Sequence, residues 1–442
     1  MNSTNPKNRY RPVDLPRDRA RPRTAPAPSD PAVEAQLTEL ISPATYALTA
    51  YYHRLGLRWR ILNLPVMVAM VLTMIWRQVP SVSTLVRMVS REGLLWTPPV
   101  HVSQQAFDQR LSTLPAGLFG EVFRAILPTM LERSAARSRP QAPVIGRALK
   151  QFDRLWVMDA STLEELSRKI GLLRDGSGKV LAGKLLALLD LPSKLPVQLW
   201  LDPDADANEK SFLDRLKQAL PPRTLLIFDK GFYSFPFFDY LTEGGLSFVT
   251  RARSLAAFRV TQELAMGPQL RDRIITLGQY RSNPCRHPVR LVEVDVAGSW
   301  RAYLTNVLDP DVLSAADVAG LYSRRWRIEE AFLLVKRLLG LAYVWHGSYN
   351  GIELQLWATW LLYAVLVDLS DAVAEELSLP LDHISVEMVY RGLYHFVSDQ
   401  RPGQPRDPVA YLAAQTDLGI VKRRRKHGER AALDNALQEL NL

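Results

Sequence analysis

The chain has 442 residues, 47% hydrophobic and 23% charged, a globular composition that excludes wholesale disorder and a collagen-like repeat and leaves room for about three domains. Its 55 Lys and Arg against 45 Asp and Glu give a net charge of +10 and a pI near 9.6, which favours a polyanionic partner such as nucleic acid or an anionic membrane surface. A single cysteine, Cys285, excludes an intrachain disulfide, a CxxC redox pair and a thiolate zinc cage, and suits a reducing cytoplasm.

The start of the chain is polar, Arg-rich and Pro-rich where a secretory signal would need an apolar run, so a cytoplasmic location is expected. Met1 to Ala32 carries Lys7, Arg9, Arg11, Arg17, Arg19, Arg21 and Arg23 among seven prolines. It reads as a disordered basic arm, either a solubilising tail or a phosphate contact that orders on DNA. From Val33 to Arg147 the apolar residues fall at threes and fours, broken by Pro43, Pro65, Pro80, Pro98 and Pro99, which predicts helices. Two apolar stretches, Val66 to Trp76 and Leu356 to Val367, have about half the ~20 residues needed to cross a bilayer and read as buried core helices. A short helix is expected over Val82 to Ser90, and another over Gln104 to Leu111 with Ser103 as N-cap. Such a pair could present Gln104, Gln105, Gln109 and Arg110 to a DNA groove, or simply pack.

After Leu155 the pattern changes to short apolar runs bounded by turns, predicting strands at Leu155 to Met158, Leu185 to Leu189, Val197 to Leu201, Leu225 to Phe228 and Ser247 to Thr250. Asp175 to Gly178 predicts a hairpin turn, and helices are expected over Asn208 to Leu220 and near Phe235 to Thr242. This is an α/β sheet. Arg253 to Thr305 reads as a mostly β insertion, with Arg290 to Val296 and Trp300 to Leu304 its clearest strands. One long helix is then expected from Ser314, whose partner Asp317 completes a capping box, to near Gly340. Further helices follow, and the Lys422 to Lys426 run reads as a solvated tail.

The long helix carries the strongest signal. With Tyr322 at zero and ~100° per residue, Arg325 falls at about 300°, Glu329 at about 340° and Lys336 at about 320°. Leu321, Ile328, Phe332, Val335 and Leu339 form an apolar stripe beside that polar row, so one flank can dock on a sheet while the other faces a cleft. An exposed Arg325–Glu329 pair on a solvated helix would give the same pattern. Elsewhere Asp159 and Asp229 each follow an apolar strand, the edge at which α/β sheets hold ligands. Singly, each would more often be a turn cap. Converging with Glu329 from adjacent strands, they could hold divalent metals, and hard oxygen donors without nearby His or Cys point to Mg²⁺ or Mn²⁺. Two such ions suit in-line attack on a phosphodiester.

The spacing Tyr322-x2-Arg325-x3-Glu329-x6-Lys336 resembles the YREK signature of the DDE transposases of bacterial insertion sequences, group four and its hairpin-forming relatives. Asp-x-Ser-Thr at Asp159 and Asp-basic-Gly-aromatic at Asp229 resemble that family's other two blocks, in the expected order; Ala160 stands where many relatives have Gly. The likeness covers roughly Asp153 to Lys336, more loosely the region around Val102 to Phe107. It implies an RNase H-like catalytic core with a β-rich insertion, preceded by a helical N-terminal domain and followed by C-terminal helices. The division expected is a basic arm over 1–32, a helical DNA-binding domain over 33–148, the catalytic domain over 149–252 and 306–372, the insertion over 253–305, and a helical, basic tail over 373–442. The resemblance implies cut-and-paste transposition in which Asp159, Asp229 and Glu329 bind Mg²⁺, with Mn²⁺ substituting. Tyr322, Arg325 and Lys336 would contact phosphates of the transposon end, with Arg251 and Arg253 as further DNA contacts. Trp300 is the nearest candidate for the aromatic that holds a flipped base, or else a strand core residue. The implied partners are transposon-end and target DNA and a second copy of the chain, with no membrane.

Other motifs fail. Asp202 to Asp206 imitates an EF-hand start, but Ala207 and Leu213 stand where Gly and Glu are required. Gly176 to Lys179 lacks the first Gly and the Ser/Thr of a P-loop, and the histidines form no HExxH. The rival readings are a non-catalytic DNA-binding descendant and a plain RNase H-like nuclease that cuts without joining.

Overall fold

The computed structural model describes residues 29–162, 184–202, 212–253, 257–341, 348–398, 407–415, 417–422 and 436. The N-terminal part is helical: α1 (Pro31–Ala47), α2 (Thr49–Arg54), α3 (Leu64–Trp76), α4 (Val82–Arg91), α5 (Gln104–Thr113), α6 (Gly117–Ala136) and α7 (Pro143–Ala148). Asp30 caps α1, its carboxylate accepting from the Ala32 and Val33 amides, so the last residues of the stretch expected to be a loose arm belong to α1 and its cap. The arm's cationic residues lie outside the described ones. Ser103 caps α5, as the sequence predicts, and Ser81 caps α4.

Among the described residues nine strands make one sheet: β1 (Arg154–Thr162), β2 (Lys184–Asp190), β3 (Pro196–Asp202), β4 (Thr224–Phe228), β5 (Ser247–Arg251), β6 (Phe258–Met266), β7 (Leu270–Leu277), β8 (Val289–Val296) and β9 (Ser299–Thr305), in the order β3-β2-β1-β4-β5-β9-β8-β7-β6. β1, β4 and β5 are parallel and β1–β2–β3 antiparallel, with α8 (Leu213–Ala219) and α9 (Phe235–Glu243) leading into β4 and β5. The five predicted core strands are all present. The predicted turn over Asp175 to Gly178, and the start of the Asn208 helix, lie outside the described residues. The β-rich stretch is not set apart from the α/β pattern. β9 pairs antiparallel with β5 through Val249–Thr305, Thr250–Leu304 and Arg251–Tyr303, so the stretch prolongs the same sheet.

The expected single long helix is two, α10 (Ala315–Ser323) and α11 (Trp326–Leu341). The Ser314–Asp317 capping box forms, with the Asp317 amide donating to Ser314 Oγ and that hydroxyl donating to Asp317 Oδ2 at 2.8 Å. At the break the backbone tightens to i→i−3 bonds, Arg324 to Leu321 and Arg325 to Tyr322, both 3.0 Å. Residues three apart eclipse in such a turn, so Tyr322 and Arg325 align and the ~100° wheel fails across this point.

α12 (Tyr349–Glu376), α13 (Val386–Ser398) and α14 (Pro408–Ala414) complete the chain. α12 is longer than the apolar run that announced it, and by length and composition could cross a membrane, yet 94% of its most apolar stretch is buried within the protein. One apolar cluster joins Leu37, Met67, Phe119, Val157, Ile227, Val292, Leu361 and Leu393, so N-terminal helices, one sheet face and C-terminal helices share a core. A second cluster, centred on Phe228, Phe238 and Phe248, covers the other sheet face. Asn350, at the start of α12, donates to the Leu111 and Leu114 carbonyls at 2.8 Å each and accepts from the Ala116 amide at 3.1 Å. Asn350→Ala strands these groups and is expected to cost about 1–3 kcal/mol, read as a lower denaturant midpoint at unchanged slope.

Candidate active site at the sheet edge

The register of β1 and β4 ends at Met158 opposite Phe228, so the next residues, Asp159 and Asp229, emerge side by side on adjacent parallel strands. β1 itself runs past the expected end to Thr162, pairing with β2, which leaves Asp159 inside a strand and fixes its direction. Strand alternation puts Asp159 with Leu155 and Val157 on the sheet face that α10 and α11 cover. Asp229 is the N-cap of a single 3₁₀ turn, Lys230–Phe232, without using its side chain for that purpose. Its carboxylate instead accepts from the Tyr322 hydroxyl at 3.2 Å.

The helix break delivers Arg325 between the acids. Its Nη1 donates to Asp159 Oδ2 at 2.9 Å and its Nη2 to Glu329 Oε1 at 2.6 Å, so one guanidinium bridges two carboxylates that are 170 residues apart in sequence (329 − 159). The sequence reading of Arg325 as a phosphate contact therefore meets a different placement: the side chain is buried against the acids. Asp159 Oδ1 also accepts from the Ala160 amide at 2.9 Å. Burial, opposed by Arg325 and reinforced by the charges of Glu329 and Asp229, pushes the Asp159 carboxyl up to about 6. Burial and the charge of Asp229 push the Tyr322 phenol up, and Asp159 and Glu329 hold the Arg325 guanidinium protonated against its burial.

Among the described residues, no three Asp, Glu, His or Cys side chains stand close enough to grip an ion as arranged. The set nevertheless fits a hard divalent cation by the chemistry of its donors: the carboxylates of Asp159 and Glu329 already share one positive group, the Arg325 guanidinium, and Asp229 follows the neighbouring parallel strand.

The remaining predicted residues divide. Arg251 lies opposite Tyr303 in the β5–β9 register, and the Tyr303 ring packs 5.2 Å from that of Tyr322, so Arg251 extends the same face one strand beyond Asp229. Arg253 donates to the Lys230 carbonyl at 3.0 Å and its guanidinium lies 5.0 Å from the centre of the Tyr233 ring, beside the Asp229 turn. Lys336 lies on α11, and its side chain is outside those described. Trp300 is not brought to the site. Alternation along β9 turns it away from Arg301 and Tyr303, and Arg271 covers its ring at 4.2 Å. Arg110 is likewise committed elsewhere, donating to the Leu62 carbonyl at 3.1 Å and to the Tyr52 hydroxyl, whereas Gln104, Gln105 and Gln109 are exposed.

Two features escaped the sequence reading. Arg301 shares the face of Tyr303 and hydrogen-bonds to it, a placement that the two-residue period of β9 foretells once the face of Tyr303 is known. A groove of about 500 Å³ beside the N-terminus of α5 is lined by Arg58, Arg60, His101, Ser103 and Gln109. Its only signal was the pair of arginines before the α3 cap.

Residues 157–365, a span holding both aspartates and the whole Tyr322 to Lys336 pattern, match the family described as the transposase DDE domain. The chain is 25% identical over 276 residues, 61% of its length and 72% of the relative's, to "Putative transposase y4zB" of Sinorhizobium fredii (strain NBRC 101917 / NGR234). Among solved structures it is similar to the cryo-EM structure of the piggyBac transposase synaptic complex with hairpin DNA, with a TM-score of 0.35, 10% identity, and coverage of 92% of this chain and 90% of that one. Residues 157–365 thus carry a DDE transposase domain, the domain of metal-dependent enzymes that cut and join DNA.

Proposed function

We propose that the chain transposes DNA by cutting the ends of its own element and joining them to target DNA, as a member of the insertion-sequence group with the Tyr-Arg-Glu-Lys signature. The observation that carries this reading is the meeting of Asp159, Asp229, Tyr322, Arg325 and Glu329, drawn from three remote stretches of chain, at one sheet edge. The order β3-β2-β1-β4-β5, with β2 antiparallel to its neighbours and Asp159 and Asp229 placed just where the β1–β4 pairing ends, supports an RNase H-like core.

In this reading Asp159, Asp229 and Glu329 hold the divalent ions, Mg²⁺ by preference with Mn²⁺ substituting. Bound there, such ions supply activation of a water or 3′-hydroxyl and stabilisation of the leaving oxygen. Arg325 and Tyr322 then serve the phosphate at the point of cleavage, and Arg251, Arg253 and Arg301 continue a cationic path for the strand along the same edge. The groove at α5, with Arg58 and Arg60, offers backbone contacts further along the DNA. As the resemblance implies, the working form is a pair of chains on paired ends, acting in the cytoplasm.

The test uses the full chain and a duplex ending in the inverted repeat that flanks its gene. Cleavage at the repeat boundary and joining to a second duplex are expected in Mg²⁺ or Mn²⁺, and neither in EDTA. Cleavage without joining would favour a plain nuclease, and end binding without cleavage in either metal would favour a DNA-binding descendant.

A further inference from the structure

On the side of α11 away from the acid site lies a second charged cluster. Asp382, in the 3₁₀ turn Leu381–His383 after α12, is paired with Arg327 Nε at 3.0 Å, Arg324 Nε at 3.5 Å and Lys194 Nζ at 3.9 Å. Glu330 accepts from Arg327 at 3.0 Å and from Lys422 Nζ at 2.8 Å. Lys194, only 4% exposed, is held in the left-handed region at φ 59°, and its ammonium donates to the Leu381 carbonyl at 2.7 Å. The run read as a solvated tail thus begins with a lysine engaged in an ion pair. The 381–385 and 420–422 segments are also joined by backbone, Ser385 to Ile420 at 2.8 Å and Lys422 to His383 at 2.7 Å.

The two sites draw on the same break and first turn of α11. Arg325 and Glu329 reach the acids, while Arg327 and Glu330, roughly 100–160° around α11 from Glu329, and Arg324 at the break reach the cluster. Glu329 lies in the first turn of α11, just beyond the break, where i→i−3 bonds, Arg327 to Arg324 at 3.0 Å and Ile328 to Arg325 at 3.1 Å, carry the backbone across. Burial opposes the charge on Asp382, yet Arg327 and Lys194 hold its carboxyl far below the usual range, and burial brings the Lys194 ammonium down to about 7. These are charges kept inside the protein by mutual pairing, on the same turn of helix that carries Glu329.

We infer that Asp382 and Lys422 are positioning residues, which through Arg327 and Glu330 fix the first turn of α11 so that Glu329 faces Asp159 and Asp229. The segment after α12, beyond the matched transposase domain, is thereby a working part of the active site. The inference rests on the reading of Glu329 as a metal ligand.

The test is Mn²⁺ binding to the full chain, followed by electron paramagnetic resonance, in Glu329→Gln, Asp382→Asn, Lys422→Met and the two doubles with Glu329→Gln. Asp382→Asn and Lys422→Met are each expected to weaken Mn²⁺ binding by about 10- to 100-fold, and neither to weaken it further once Glu329 is Gln. Lys422→Arg should retain wild-type binding. Lys422 is partly exposed, so its variants fold even if Asp382→Asn does not, and they then carry the test alone. Unchanged binding in folded Asp382→Asn and Lys422→Met, or losses that add to that of Glu329→Gln, would overturn the positioning role. If Glu329→Gln itself leaves binding intact, the ligand assignment falls first and this inference with it.

Discussion

Glu329→Gln is expected to lower metal-dependent cleavage of end-bearing DNA by about 10³-fold or more, because a lost ligand forfeits several kcal/mol of transition-state stabilisation. The substitution is nearly isosteric. Its amide oxygen can still accept from Arg325 Nη2, the bond seen at 2.6 Å, so the approach of α11 to β1 is preserved and the loss reports on charge. Asp159→Asn and Asp229→Asn should behave alike, with Asp229→Asn keeping an acceptor for the Tyr322 hydroxyl. A gel assay of cleavage beside a filter assay of end binding separates the two steps. Near-wild-type cleavage in any of the three, at matched end binding, removes that residue from the catalytic set.

Asp272→Ala is expected to be the most destabilising single change described here, at about 3–5 kcal/mol, because it leaves a buried guanidinium without its counter-ion. Asp272 and Arg290 are 2% and 0% exposed, and the carboxylate takes a forked pair from Arg290 Nε at 2.8 Å and Nη2 at 2.5 Å. The third arm, Nη1, donates to the Leu313 carbonyl at 2.6 Å, just before the Ser314 cap of α10. The pair thus ties β7 and β8 to the start of the helix that ends near Tyr322. Chemical denaturation should show the loss in the midpoint. If the midpoint moves by under about 1 kcal/mol, the pair contributes little net, as buried pairs sometimes do.

What could be read from the sequence follows from how local each signal is. β1, β4 and β5 are flanked on both faces, so they appear as unbroken apolar runs such as Leu225 to Phe228, and the aspartates that follow the runs of β1 and β4 were recognisable for that reason. The break at Ser323 to Trp326 was hidden because Leu321 and Ile328 both belong in the core whether or not the helix is continuous, and no Pro or Gly marks the place. The bridging position of Arg325 depends on that tightened turn and so was hidden too. Trp300 lay within a correctly expected strand, but its face is fixed only by pairing with β8, opposite Asp295, which no local pattern reveals. Lys194 and Asp382 are near no recognisable motif, Lys422 opens a basic run whose pattern suggests only a solvated tail, and only the folded chain brings the three to one helix.

The matched domain stops at residue 365, in the middle of α12, while the helix continues to Glu376 and packs along its length against α1, α3, α5 and α6 on one side and α13 and α14 on the other. A gene fragment trimmed to the matched span would end its product inside an oily rod stripped of both sleeves. The sheet and the helices on both sides of α12 therefore stand or fall together, and a truncation that removes either set of helices is expected to bare apolar surface.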